Sequence, residues 1–241
     1  MALIMAQLTS AALTSPVSPA SLACSRALEN RDDKRFEEAE QIYEAIGHPF
    51  NRAKVRANRG IVEEHMGNLG IAEKLISESI SVFRDCGDSE SVARNLPTLA
   101  RIQAKSGRAE EAIQHCTESL AIREKLGNGP GIGESLMALG KVLVNAGRAE
   151  RAIPILERAR SVLQTLPWSK SRIEVLATLC EAYQDAGRGR EFRDALKAVA
   201  GELRVFPREV RRGPLKRLLK GLVLRQRGVS TDWSSFDGLG E

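Results

Sequence analysis

The chain has 241 residues, 42% of them hydrophobic, 28% charged and 4% aromatic, and a formal charge of +5. That length buries a real core in one large or two small domains, but so few aromatics argue against a large β-sandwich or enzyme core. No run of 18 apolar residues is present, so no transmembrane helix is expected.

The first 28 residues hold no acid, and residues 1–19 are set apart as a disordered leader or possible targeting segment. Three readings of this start compete: a disordered leader or loose first helix, an organelle transit peptide with Arg26 as its only basic residue, and a secretory or lipoprotein signal ending at Cys24. The expected location is cytoplasmic, or a plastid or other organelle if the transit reading holds. From residue 20 a helical pattern begins. Residues 20–30 read as the first helix of a degenerate hairpin. Arg35, Phe36, Glu37, Glu38 and Ala39, followed by Tyr43 and Ile46, read as its second helix, with Lys34 where a glycine would stand.

Four glycines then recur at intervals of 40: Gly67, Gly107, Gly147 and Gly187. Their neighbours recur too. Seven residues before each stand Gly60, Ala100, Gly140 and Cys180. Five after stand Ala72, Ala112, Ala152 and Phe192, and nine after stand Ile76, Cys116, Leu156 and Leu196. Apolar spacings of three and four on both sides, such as Leu136, Leu139, Leu143 and then Ala152, Leu156, Ala159, predict two amphipathic helices joined at the glycine. A positive φ at that glycine turns one helix into the next. Such a hairpin cannot cover its own apolar face, so stacking is required.

Irregularities are equally legible. Arg59 and Glu63 replace apolar core residues, which predicts loose packing or an outside contact. Phe192 stands where a small residue is expected and forces the fourth hairpin to splay or repack. Pro97 and Pro154 fall inside predicted helices, expected within their first two turns, where a missing N–H costs little. The glycine-rich stretch 127–131 reads as a loop between repeats.

After Val205 the period breaks. Residues 206–228 form a basic segment in which Leu215, Leu218, Leu219 and Leu222 make a helical stripe, and 229–241 read as a flexible tail. Eight basic residues and one acid give residues 207–228 a charge of +7, leaving −2 for the rest. This segment reads as a capping helix over the last repeat, or as a basic amphipathic helix for anionic lipid, nucleic acid or an acidic partner.

The repeat resembles the tetratricopeptide-repeat family. The residues that carry the likeness are Leu99-Ala100 with Gly107-Arg108-Ala109-Glu110-Glu111-Ala112, and Leu139-Gly140 with Gly147-Arg148-Ala149-Glu150-Arg151-Ala152. The usual unit is shorter than 40 residues, and the additions are placed at 85–90, 127–131 and 166–171. This variety looks like the repeats of kinesin light chains and of arrays attached to bacterial signalling ATPases. The resemblance covers residues 20–205 and implies an all-α solenoid, a superhelix of stacked helical hairpins with a C-terminal cap.

It further implies that the first helices line a concave partner-binding face. Carried onto this sequence, that face would include Lys54, Asn58 and His65; Arg94, Thr98, Arg101 and Lys105; Lys141 and Asn145; and Glu174, Glu181 and Asp185. The sign changes from basic to acidic along the chain, which suits a protein or an extended peptide of opposite polarity. A chaperone-tail carboxylate clamp fits poorly, because Thr98 stands where a basic residue is needed. Self-association is a further possibility for the partner, and membrane or nucleic acid only through the basic C-terminal segment.

No phosphate-binding loop, nucleophile elbow or metalloprotease motif is present. Cys24, Cys86, Cys116 and Cys180 are far apart, and His48, His65 and His115 do not cluster with them. No metal site, no cofactor and no catalytic residues are therefore expected, and the thiols read as reduced and mostly buried. The functional expectation is a scaffold or regulatory adaptor, with a surface-associated protein acting through its basic C-terminal helix as the alternative.

Overall fold

The computed structural model describes residues 33–165 and 170–202. The predicted helix at 20–30, the basic segment 206–228 and the tail lie outside the described residues. Every regular element among the described residues is helical: α1 (Asp33–Ala45), α2 (Pro49–Met66), α3 (Leu69–Asp85), α4 (Ser89–Lys105), α5 (Ala109–Leu126), α6 (Gly129–Asn145), α7 (Ala149–Gln164), α8 (Lys170–Asp185) and α9 (Gly189–Glu202). The chain divides into two compact units, Met1–Asn128 and Gly129–Glu241. Within each, consecutive helices pack on one another, the stacked-hairpin architecture of an α-solenoid.

The four glycines 40 residues apart all mark turns, with φ between +70 and +87°. A second series shares their period, offset from them by half of it: Gly47, Gly87 and Gly127, with φ of +65, +70 and +68°. The structural beat is therefore 20 residues, one helix and one turn. At each turn two backbone bonds close the helix. Gly147 N–H reaches Val144 O at 3.0 Å and Arg148 N–H reaches Leu143 O at 2.8 Å. These bonds satisfy carbonyls that the helix end leaves without partners.

This beat corrects the reading of residues 127–131 as a loop, while 166–169 lie outside the described residues. Of residues 85–90, Cys86, Gly87 and Asp88 form the turn, and Asp88 caps α4 by accepting from Ser91 N–H at 3.0 Å. Of the stretch 127–131, only Gly127 and Asn128 form the turn, and Gly129–Gly131 with Pro130 open α6. A proline in a first helical turn forfeits no intrahelical bond.

The small residues seven before each turn let backbones approach. A Cβ on Gly60 would come within 2.9 Å of Ile76, and one on Gly140 would overlap Leu156. Where Ala100 replaces glycine, Cys116 replaces the large aliphatic, and both are fully buried. In the fourth hairpin Phe192 and Leu196 are half-buried, while Ala195 and Val199 face the core. The second helix has repacked on a shifted face, as its bulky residue requires.

Pro97 departs from expectation. It is the ninth residue of α4 and lies in the third turn. Lacking an N–H, it leaves the Ala93 carbonyl without its helical donor. Ser119 of α5 supplies the replacement: its buried hydroxyl donates to Ala93 O at 2.7 Å. At the same place one repeat earlier stands Ala57, with an intact N–H, and the equivalent Ser79 donates to Leu75 O of its own helix at 2.7 Å. Pro154 is the sixth residue of α7, in its second turn, as expected.

Candidate partner-binding faces

In the first unit the predicted residues lie on α2 and α4. Lys54, His65, Arg94, Arg101 and Lys105 are exposed, Asn58 is half-buried and Thr98 is buried. Lys54 sits 4.4 Å over the Phe50 ring, and Arg94 is 3.7 Å from Glu90 of its own helix. Arg101 and Lys105 have a shared anchor that periodicity alone did not reveal. Arg101 donates through Nε and Nη2 to the two oxygens of Glu64, and Lys105 Nζ lies 3.1 Å from Glu64 Oε1.

The Glu64 side chain is fully buried, whereas Arg101 and Lys105 remain 49% and 36% exposed. Burial alone would raise the Glu64 pKa. The hydrogen bonds and charge of Arg101, joined by Lys105, override it and hold the carboxyl below its ordinary value. One carboxylate thus fixes two cations, and the bidentate geometry locks the guanidinium plane. A net positive charge remains on the surface. Asp88 and Glu90 at the start of α4 offset part of it.

In the second unit Lys141 and Asn145 lie on α6, and Glu174, Glu181 and Asp185 on α8. Lys141 Nζ donates to Glu174 Oε2 at 3.1 Å, so this pair neutralises itself. Glu181 is only 3% exposed, whereas Asn145 and Asp185 are exposed. The acidic character expected here is therefore mostly paired or buried, and the first unit carries the stronger field.

Cys116 and Cys180 are unsuited to nucleophilic chemistry. Burial pushes Cys116 up to about 12 and, with Glu181 nearby, Cys180 up to about 12. Cys86 is exposed. His115, the sequence neighbour of Cys116, holds its Nδ1 2.8 Å from Gln103 Oε1 instead.

A sequence-family profile described as tetratricopeptide repeat matches residues 93–165. Residues 93–165 thus carry the tetratricopeptide repeat. No curated protein sequence matches the chain. Among solved structures, the chain is similar to BtubC (BKLC) from P. vanneervenii, with a TM-score of 0.66 and 18% identity over 83% of this chain and 87% of that one. A putative kinesin light chain with TPR-like repeats from Podosopora anserina matches with a TM-score of 0.57 and 21% identity, over 76% and 92%. A Rap protein complexed with Competence and Sporulation Factor matches with a TM-score of 0.74 and 12% identity, over 92% of this chain and 64% of that one. At these identities the likeness is one of fold. No helix among the described residues is long and apolar enough to cross a membrane.

Proposed function

We propose that the chain is a protein-interaction scaffold or regulatory adaptor, and that its first helices present the binding faces. The observation that carries this reading is the α2–α4 face of the first unit. Lys54, His65 and Arg94 are exposed there beside Arg101 and Lys105, and both of the latter are held by the single buried carboxylate of Glu64. Preset cations on helical supports pay little ordering entropy on binding, and such a field steers an acidic protein or an extended acidic peptide. The structural neighbour seen with Competence and Sporulation Factor supports a binding role for this architecture. Asn145 and Asp185 of the second unit are its exposed candidates for a partner's polar or basic residues.

The test reverses charge while sparing the bonds to buried carboxylates. Arg101 and Lys141 hold carboxylates of the fold, so Lys54→Glu with Arg94→Glu is the informative variant. Binding to an array of extended acidic and basic peptides is measured, alongside circular dichroism. The acidic peptides are expected to lose most of their affinity while helicity is kept. Unchanged binding of a folded variant would remove this face from the account.

A further inference from the structure

A cavity of about 620 Å³ opens in the first unit between α1 and α3, with α2 as its floor. It does not belong to the stripe just described. Lys54, Asn58, Ile61 and His65 follow one face of α2 by helical spacing, and Arg56 and Arg59, which line the cavity, fall on the opposite side. Its volume lies within the range of small-molecule sites.

What makes the cavity unusual is what it replaces. One repeat later the positions equivalent to Glu40, Arg56 and Arg59 are Ile80, Leu96 and Leu99, which are 2%, 0% and 6% exposed. The first register has thus exchanged three apolar core residues for a carboxylate and two guanidiniums. Buried ion clusters seldom stabilise a fold better than the apolar residues they displace, so such an exchange calls for a use.

The cluster is also incompletely matched. Arg56 Nε donates to Glu40 Oε2 at 2.8 Å, and longer contacts run from Arg56 to Glu78 at 3.3 Å, from Arg59 to Glu37 at 3.4 Å and from Arg59 to Glu40 Oε1 at 3.6 Å. Glu40 is 9% exposed, and its Oε1 is buried with no hydrogen-bond partner. Such an acceptor calls for a donor. Lys74, exposed on the rim, makes no ion pair among the described residues. Beside it, Ile71 is 52% exposed and Leu75 half-buried. Gly70 leaves the entrance open, since a Cβ there would touch nothing within 4 Å.

We infer that this cavity binds a small aliphatic zwitterion of the amino-acid type. Its ammonium pairs with the Glu40 carboxylate that lines the cavity, its carboxylate meets Lys74, and its aliphatic part lies on Ile71 and Leu75. A simple anion fits less well, because the two arginines already face Glu37, Glu40 and Glu78. The inference is independent of the scaffold reading, which uses the other side of α2.

The experiment titrates the full chain with L-leucine by calorimetry, against isocaproic acid, which lacks the ammonium, and isoamylamine, which lacks the carboxylate. Saturable binding of L-leucine is expected, weakened about tenfold or more in each analogue, the loss of roughly one charged contact. The variant Glu40→Ile, Arg56→Leu, Arg59→Leu installs the next repeat's residues and is expected to lose binding. Should it fail to fold, Lys74→Ala, a surface change, is expected to weaken L-leucine and leave isoamylamine unaltered. No saturable binding by the unaltered chain, equal binding of all three probes, retention by the folded triple variant, or tighter binding of inorganic phosphate than of L-leucine would each overturn the assignment.

Discussion

Two buried carboxylates in the first unit invite comparison. Glu64 on α2 faces Arg101 and Lys105, both from α4, and Glu40 on α1 faces Arg56 and Arg59, both from α2. The ingredients are nearly the same. Glu64 has both oxygens bonded and its cations half in water. Glu40 has one good bond, one buried oxygen without a donor, and a cavity beside it. The difference teaches that a charge at a core position is not informative by itself. What matters is whether its hydrogen-bonding capacity is used up within the chain.

The largest expected effect breaks the complete cluster. Arg101→Glu sets a second carboxylate beside one with no access to water and should cost about 3 kcal/mol or more in urea unfolding. The incomplete cluster should answer in the opposite direction. Replacing Glu40, Arg56 and Arg59 by Ile, Leu and Leu is expected to leave stability unchanged or raise it by about 1–4 kcal/mol. A clear loss would mean that the cluster is as well matched as that of Glu64.

A smaller contrast of the same kind separates two serines. Ser119→Ala strands the Ala93 carbonyl that Pro97 cannot serve and should cost about 1–3 kcal/mol. Ser79→Ala removes only a second donor to Leu75 O, whose helical partner remains, and should cost less. Equal losses would undo the argument about Pro97.

The mildest test is acid. The folded Glu64 carboxyl titrates below its ordinary 4.5, so its contribution is complete above that value and disappears as pH falls through the depressed one. Glu64→Gln should flatten this acid limb of stability measured by thermal melts at successive pH values, and an unchanged slope would show that other carboxyls cause it.

The fold was legible because its signal is repetition. A glycine every 40 residues with small and apolar residues at fixed distances leaves few alternatives to stacked hairpins. The interleaved series at Gly47, Gly87 and Gly127 was missed. Those turns carry only a glycine, without the flanking Leu-Gly/Ala and Ala that drew attention to the others. The position of Pro97 was misjudged for a related reason, since the helix start depends on Asp88 acting as a cap, a local bond that periodicity does not register. Arg59 stood out as a departure. Its meeting with Glu40 and Arg56 did not, because which charges share a buried space follows from how α1 and α2 pack. The candidate binding residues lie on the first helices of the hairpins, but sequence alone does not reveal which cations are already held: Glu64 organises two of them.

The turns have a consequence for how such a chain can change over generations. In the first unit each connection is two or three residues long and is pinned by backbone bonds. There is no slack into which a hypervariable insertion fits without displacing a helix. New specificity in this body must therefore be written by point replacement on the helix flanks, one rung at a time, as an alphabet of single letters.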